Sequence, residues 1–191
     1  MEVSEVMHES FGEIEKSINE FLISIKAESK ELYSWRIHVP ILKTFKTLLS
    51  KAEKDLHLIV ENKNSNKRKK VLDLGCGFCP YWPFLEEYGF TDFAGVDLFS
   101  LRGKKYSGFN TYMKDAELFV EKFCKKDTRT RVIEADIRNL SDHLEEGEKF
   151  DLIFTSNTDY IKRGSTGIPL YLFNEVCEKY LAKDGIKIFN G

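Results

Sequence analysis

Three carboxylates and two glycines are the residues of this chain whose types and spacing could do chemistry. Asp73, Gly75 and Gly77 lie in VLDLGCG (71–77), Asp97 ends a second apolar run, and Asp136 ends a third. Glycines let a backbone approach a ligand where a Cβ would collide, and the helix-compatible stretch after them offers unpaired N–H groups. An acid at the end of the second strand is placed to accept hydrogen bonds from both hydroxyls of a ribose. Asp136, at the next strand end, then lies where an adenine amino group would be. Asp73, two residues before the turn, would discourage a pyrophosphate and favour a ligand carrying an ammonium or sulfonium. Together these residues point to a nucleoside ligand with positive charge. A dinucleotide fingerprint, G-x-G-x-x-G, is not completed, because Cys79 and Pro80 follow the second glycine.

These residues are positioned by a strand, a tight turn, a helix and a second strand, the first βαβ unit of a doubly wound sheet. Strands are expected at about 70–74, 92–97, 131–135, 150–156 and 186–189, with helices at about 80–89, 111–125 and 171–181 and Gly185 placed to end the last. The alternation is that of a parallel sheet. Residues 1–66 read as a helical extension and residues 67–191 as the α/β core. Two apolar stripes, Met7 to Ile25 and Ile41 to Ile59, mark amphipathic helices in the extension. Tyr33, Trp35 and His38 between them suit helix packing, with a lid over the site mouth as the alternative. Lys67 to Lys70 close a solvated linker.

Composition narrows the class. Lys and Arg number 29 against 31 Asp and Glu, and a net charge of −2 gives no global support for a nucleic-acid binder. No apolar run approaches the ~20 residues of a membrane span. The acidic MEVSEVMHES start lacks signal-peptide order, so a cytoplasmic protein is expected. Cys76 and Cys79 form a C-x-x-C, but no second pair or paired histidine completes a metal site. Small side chains filling a turn is the preferred reading, with no metal.

Five segments in order now resemble the class I S-adenosylmethionine-dependent methyltransferases over roughly residues 70 to 190: VLDLGCG (71–77), GVDLF (95–99), IEADIRNL (133–140), FDLIFTSN (150–157) and YLAKDGIKIF (180–189). The resemblance implies a doubly wound, mainly parallel sheet of order 3-2-1-4-5 and S-adenosyl-L-methionine as cofactor. It places Asp73, Gly75 and Gly77 around the methionine end. Asp97, with Leu98 beside it, would hold the ribose, and Asp136 with the Ile137 backbone would meet the adenine. Asn157 would lie between cofactor and acceptor. The chain departs from the family at Cys79, where a third glycine is common, and in Asn157-Thr158-Asp159-Tyr160, which is not the motif of adenine amino-group methylases.

Methyl transfer from a sulfonium is a direct displacement, so alignment supplies much of the acceleration. Asn157, Asp159 and Tyr160 follow the fourth strand where an acceptor should approach, and Asp159 is the candidate base, a surface-turn acid being the competing reading. The Ser100 to Asn110 connection carries Arg102, Lys104, Lys105 and Tyr106. It reads as a flap favouring an anionic small-molecule acceptor or as a disordered loop, and an RNA or protein acceptor stays open. The family's C-terminal hairpin is absent, so strand five is expected at a sheet edge. The expectation is a truncated piece of a longer protein or self-association through the strand, with cover by the chain's own N-terminal helices as the alternative. Two rival functions are retained: an inactive binding or regulatory module with this fold, and a nicotinamide-dependent oxidoreductase.

Overall fold

The computed structural model describes residues 11–20, 52, 55, 56, 68–98, 113–155 and 168–189. Within them, apolar runs rich in Val, Ile, Leu and Phe form β1 (Lys70–Leu74), β2 (Asp92–Asp97), β3 (Arg129–Glu134), β4 (Phe150–Thr155) and β5 (Leu181–Phe189). Every pairing is parallel, as the alternation of strands and helices predicts, and the order is β3-β2-β1-β4-β5, as the family resemblance implies. β1, β2 and β4, the three inner strands, are buried almost throughout, because helices cover both faces.

Strand alternation divides the core. Val71, Phe93, Leu152 and Phe154 face one side, where α1 (Trp82–Glu87) and α2 (Met113–Phe123) pack. Leu72, Leu74, Ala94, Val96 and Ile153 face the other, against Leu140 of a 3-10 helix (Ile137–Asp142) and Phe173, Val176, Cys177 and Tyr180 of α3 (Leu170–Tyr180). Residues 11–20 are helical. Phe11 meets the edge of Phe84 at 5.4 Å and lies tilted on Tyr88 at 5.7 Å. Ile18 and Leu56 are buried in the same cluster, so these N-terminal residues share the core of the α1 face.

Two elements differ from expectation. α1 is only six residues long, confined between the Cys79–Tyr81 turn and Gly89, whose φ of 87° ends the segment. Gly185 does not end α3. The helix stops at Tyr180, and the chain passes directly into β5, with Leu181 already extended. Gly185 lies in an irregularity of β5, where Phe150 pairs with Leu181 but Leu152 with Ile186. A Cβ there would come within 3.0 Å of the backbone oxygens of Phe150 and Asp151. The glycine answers a close backbone approach inside the sheet, which a helix-stop signal resembles in sequence.

Polar groups fasten the edge opposite the strand ends that carry the acids. Buried Glu148 accepts hydrogen bonds from Lys70 Nζ (2.9 Å) and Arg131 (2.6 Å). Burial works to raise its pKa, but these two cations outweigh it and hold the carboxyl below its usual range. A depressed carboxyl contributes stability that is present above its unfolded pKa and lost as pH falls through the folded one. Glu148→Ala is therefore expected to destabilise by about 2–3 kcal/mol, below the usual range for breaking a buried pair because both cations are partly exposed and can rehydrate. Urea unfolding should show the deficit at pH 7 and a smaller one at pH 3. An equal deficit at both would assign the effect to packing. Among the described residues, no helix is long and apolar enough to cross a membrane.

Candidate functional site

Parallel pairing brings the first two acids together. Asp73 is in register with Gly95 on β2, and Asp97 ends that strand, so both carboxyls belong to the α1 face at its carboxyl edge. The turn between β1 and α1 is closed by its own hydrogen bonds. Gly75 and Cys76 N–H both donate to the Val96 carbonyl (2.8 and 3.2 Å), and Cys79 N–H donates to the Cys76 carbonyl (2.8 Å). Gly77 N–H donates to Asp97 Oδ2 at 2.9 Å. Gly75 and Gly77 have φ of 74° and 55°, the left-handed region that glycine enters freely. Cys79 shares it at 62°, a conformation that a residue with a Cβ rarely adopts.

The expectation that the following helix offers free N–H groups fails. Trp82 N–H donates to the Cys79 carbonyl and Phe84 N–H to the Tyr81 carbonyl, while Pro83 has none. With the N–H groups of Gly75, Cys76, Gly77 and Cys79 also given to protein acceptors, these donors do not form a phosphate cradle.

Asp73 is wholly buried. Its Oδ2 accepts from the Trp82 indole N–H at 3.0 Å, and its Oδ1 has no hydrogen-bond partner among the described residues. Burial pushes the carboxyl well above its usual range, the indole bond lowers it in part, and the nearby Asp97 charge raises it further. Asp97 Oδ1 accepts from Leu98 N–H at 2.7 Å. Each carboxylate oxygen has two acceptor positions. Asp136 lies two residues beyond β3, caps the 3-10 helix through Arg138 N–H (2.9 Å) and pairs with the Arg138 guanidinium. That side-chain bond holds its pKa down to about 2. Ile137 opens the 3-10 helix. Asn157, Asp159 and Tyr160 lie outside the described residues, as do Tyr33, Trp35, His38 and the Ser100 to Asn110 connection.

Cys76 and Cys79 are buried, burial raises both thiols, and the Cys76 thiol donates to the Gly77 carbonyl at 3.6 Å. Among the described residues, no group of three or more His, Cys, Asp or Glu could hold a metal ion. Trp82 lies outside the motif segments, and Gly95, which opens the second of them, carries no role in the sequence reading. An aromatic residue opening a buried helix looks like core, and only its N–H, aimed at Asp73, distinguishes it.

Asp73 yields a testable sign. A carboxyl whose folded pKa is raised costs stability once pH exceeds its unfolded value, because the folded state resists ionisation. Asp73→Asn removes that charge and keeps an oxygen for the Trp82 N–H. The variant is expected to show a higher urea midpoint than the parent at pH 7 and no gain at pH 3. A lower midpoint at pH 7 would make Asp73 a structural charge instead.

No protein-family model and no curated protein matches the sequence. Solved structures do. A Galdieria sulphuraria protein described as a "putative sarcosine dimethylglycine methyltransferase" is 16% identical with a TM-score of 0.50, over 77% of this chain and 46% of that one. An S-adenosyl-L-homocysteine complex of a methyltransferase from Thiobacillus denitrificans is 19% identical over 71% and 47% of the two chains, with a TM-score of 0.41. The ribosomal protein L11 methylase of Lactobacillus delbrueckii subsp. bulgaricus is 21% identical over 74% and 60%, with a TM-score of 0.43. This chain spans about half the length of the first two of these. Its parallel β3-β2-β1-β4-β5 sheet, with a glycine turn after β1 and an acid ending β2, is the Rossmann-like fold of the class I methyltransferases.

Proposed function

We propose that this protein binds S-adenosyl-L-methionine and transfers its methyl group to a small-molecule acceptor. The observation that carries the reading is the buried Asp73 carboxyl group, its Oδ1 unpartnered among the described residues, beside Asp97 and a turn in which the Gly75, Cys76, Gly77 and Cys79 N–H groups already have acceptors. Two acids and no phosphate cradle suit a cationic nucleoside and disfavour a pyrophosphate. Asp73 would meet the ammonium of the methionine arm, Asp97 the ribose hydroxyls, and Asp136 with the Ile137 backbone the adenine. Bound there, the cofactor supplies an electrophilic methyl. The protein's own contribution is to hold that methyl in line with the acceptor, which turns an encounter between two molecules into a positioned displacement. Asn157, Asp159 and Tyr160 are proposed to face the acceptor on sequence grounds. An anionic acceptor rests on Arg102, Lys104 and Lys105 alone.

Calorimetric titration with S-adenosylmethionine, S-adenosylhomocysteine and NAD tests the cofactor. The first two should bind and NAD should not. Binding of NAD alone would replace this reading with a nicotinamide-dependent one. Methyl transfer to a panel of anionic metabolites and RNA then tests the acceptor class. Transfer to RNA alone would overturn the small-molecule assignment.

A further inference from the structure

Trp82 occupies a built position. Its ring stacks on Phe93 at 5.2 Å with an interplanar angle of 23°, and it is wholly buried. The strand beneath is cut back to admit it: a Cβ on Gly95 would lie 2.7 Å from the indole Cζ2 and 2.9 Å from Cys76 Sγ. The glycine of β2 in register with Asp73 is thus the floor of the indole site. Stacking and the missing Cβ together hold the ring, and its N–H reaches Asp73 Oδ2 at 3.0 Å. A phenylalanine would satisfy the stacking equally. The indole adds the N–H, and the N–H has one buried carboxylate to serve.

We propose that Trp82 is a positioning residue for the amino-acid arm of the cofactor, holding one oxygen of Asp73 so that the other, Oδ1, is presented to the ligand's ammonium. The inference rests on the proposed function and adds to it a residue and a division of labour between the two oxygens. Without the indole, both oxygens of a wholly buried carboxylate would lack a donor. The group, whose pKa burial already raises, would then hold a proton more firmly or turn towards another donor, and in either case the ammonium loses a fixed acceptor. A ligand without that arm would be indifferent to the change.

The test compares S-adenosylhomocysteine with 5′-methylthioadenosine, which shares the adenosine and the sulfur but lacks the amino-acid arm. Trp82→Phe should weaken S-adenosylhomocysteine by roughly ten-fold and 5′-methylthioadenosine by less than about two-fold, the loss of one charge-assisted hydrogen bond. In an Asp73→Asn background the same substitution should change the ratio of the two affinities no further, because Trp82 acts through Asp73. In the unmodified protein, the Trp82 indole N–H resonance should move on binding S-adenosylhomocysteine and stay near its free position with 5′-methylthioadenosine, a readout that needs no folded variant. Equal weakening of both ligands, an equal shift of the resonance by both, or a further loss of discrimination in the Asp73→Asn background would overturn the inference and leave the proposed function standing. Failure of the unmodified protein to bind S-adenosylhomocysteine would remove both.

Discussion

Asp97→Ala is expected to weaken S-adenosylhomocysteine binding by about ten- to a hundred-fold, the loss of roughly 1.5–3 kcal/mol of charge-assisted hydrogen bonding to the ribose hydroxyls. The geometry adds a second consequence. The same carboxylate accepts from Gly77 N–H and Leu98 N–H, so truncation leaves two partly buried donors without their acceptor. A drop in stability of about 1–3 kcal/mol should accompany the binding loss. Asp97→Asn separates the two effects. Its amide oxygen can keep one of these N–H groups while the charge is gone, so stability should recover more than affinity does. Calorimetry and urea unfolding on the three proteins measure both. If Asp97→Ala binds as tightly as the parent, Asp97 ties the turn and does not hold the ribose.

Gly95→Ala is expected to cost about 1–3 kcal/mol of stability, the usual range for overpacking a filled core. The added Cβ would meet the Trp82 ring and the Cys76 thiol at distances under 3.0 Å, and neither can retreat easily, since both are buried. Displacing Trp82 should also move its N–H from Asp73, so S-adenosylhomocysteine should weaken while 5′-methylthioadenosine is spared. Gly77→Ala provides the contrast. A Cβ there meets nothing within 4 Å, but the residue sits at a φ of 55°. Its cost should be about 1 kcal/mol of backbone strain with no effect on ligand discrimination. A Gly95→Ala protein as stable as the parent would mean that the indole is loosely held, and the built position of Trp82 would go with it.

Strand existence was legible because it follows from repeated local signals, whereas the strand order was implied only by the family resemblance. A short run rich in Phe, Leu and Ile such as Phe150 to Thr155 suits a buried strand, and a helical stripe such as Ala116, Phe119 and Val120 suits packing on the sheet that such strands build. Short connections between alternating strands and helices then leave few topologies. Gly185 was misread because a glycine after an amphipathic stripe carries the same signal whether it stops a helix or clears room in a bulge. The two cases differ only in what lies across the sheet, here the carbonyls of Phe150 and Asp151.

By itself the sequence determined that three acids and a glycine turn would gather at one edge of a parallel sheet, since every strand points the same way and each acid follows a strand. Spacing along the chain could not say how the donors around those acids would be shared. The N–H groups of Gly75, Cys76, Gly77 and Trp82 could have been left for a ligand, yet each finds an acceptor within the protein. Asp136 pairs with Arg138, and Asp73 receives a single indole N–H from the helix that follows. These choices belong to tertiary structure, because a hydrogen bond forms or fails over a few tenths of an ångström. Those distances are set by how α1 packs on β2, through the stacked ring of Trp82 and the Cβ that Gly95 does not have.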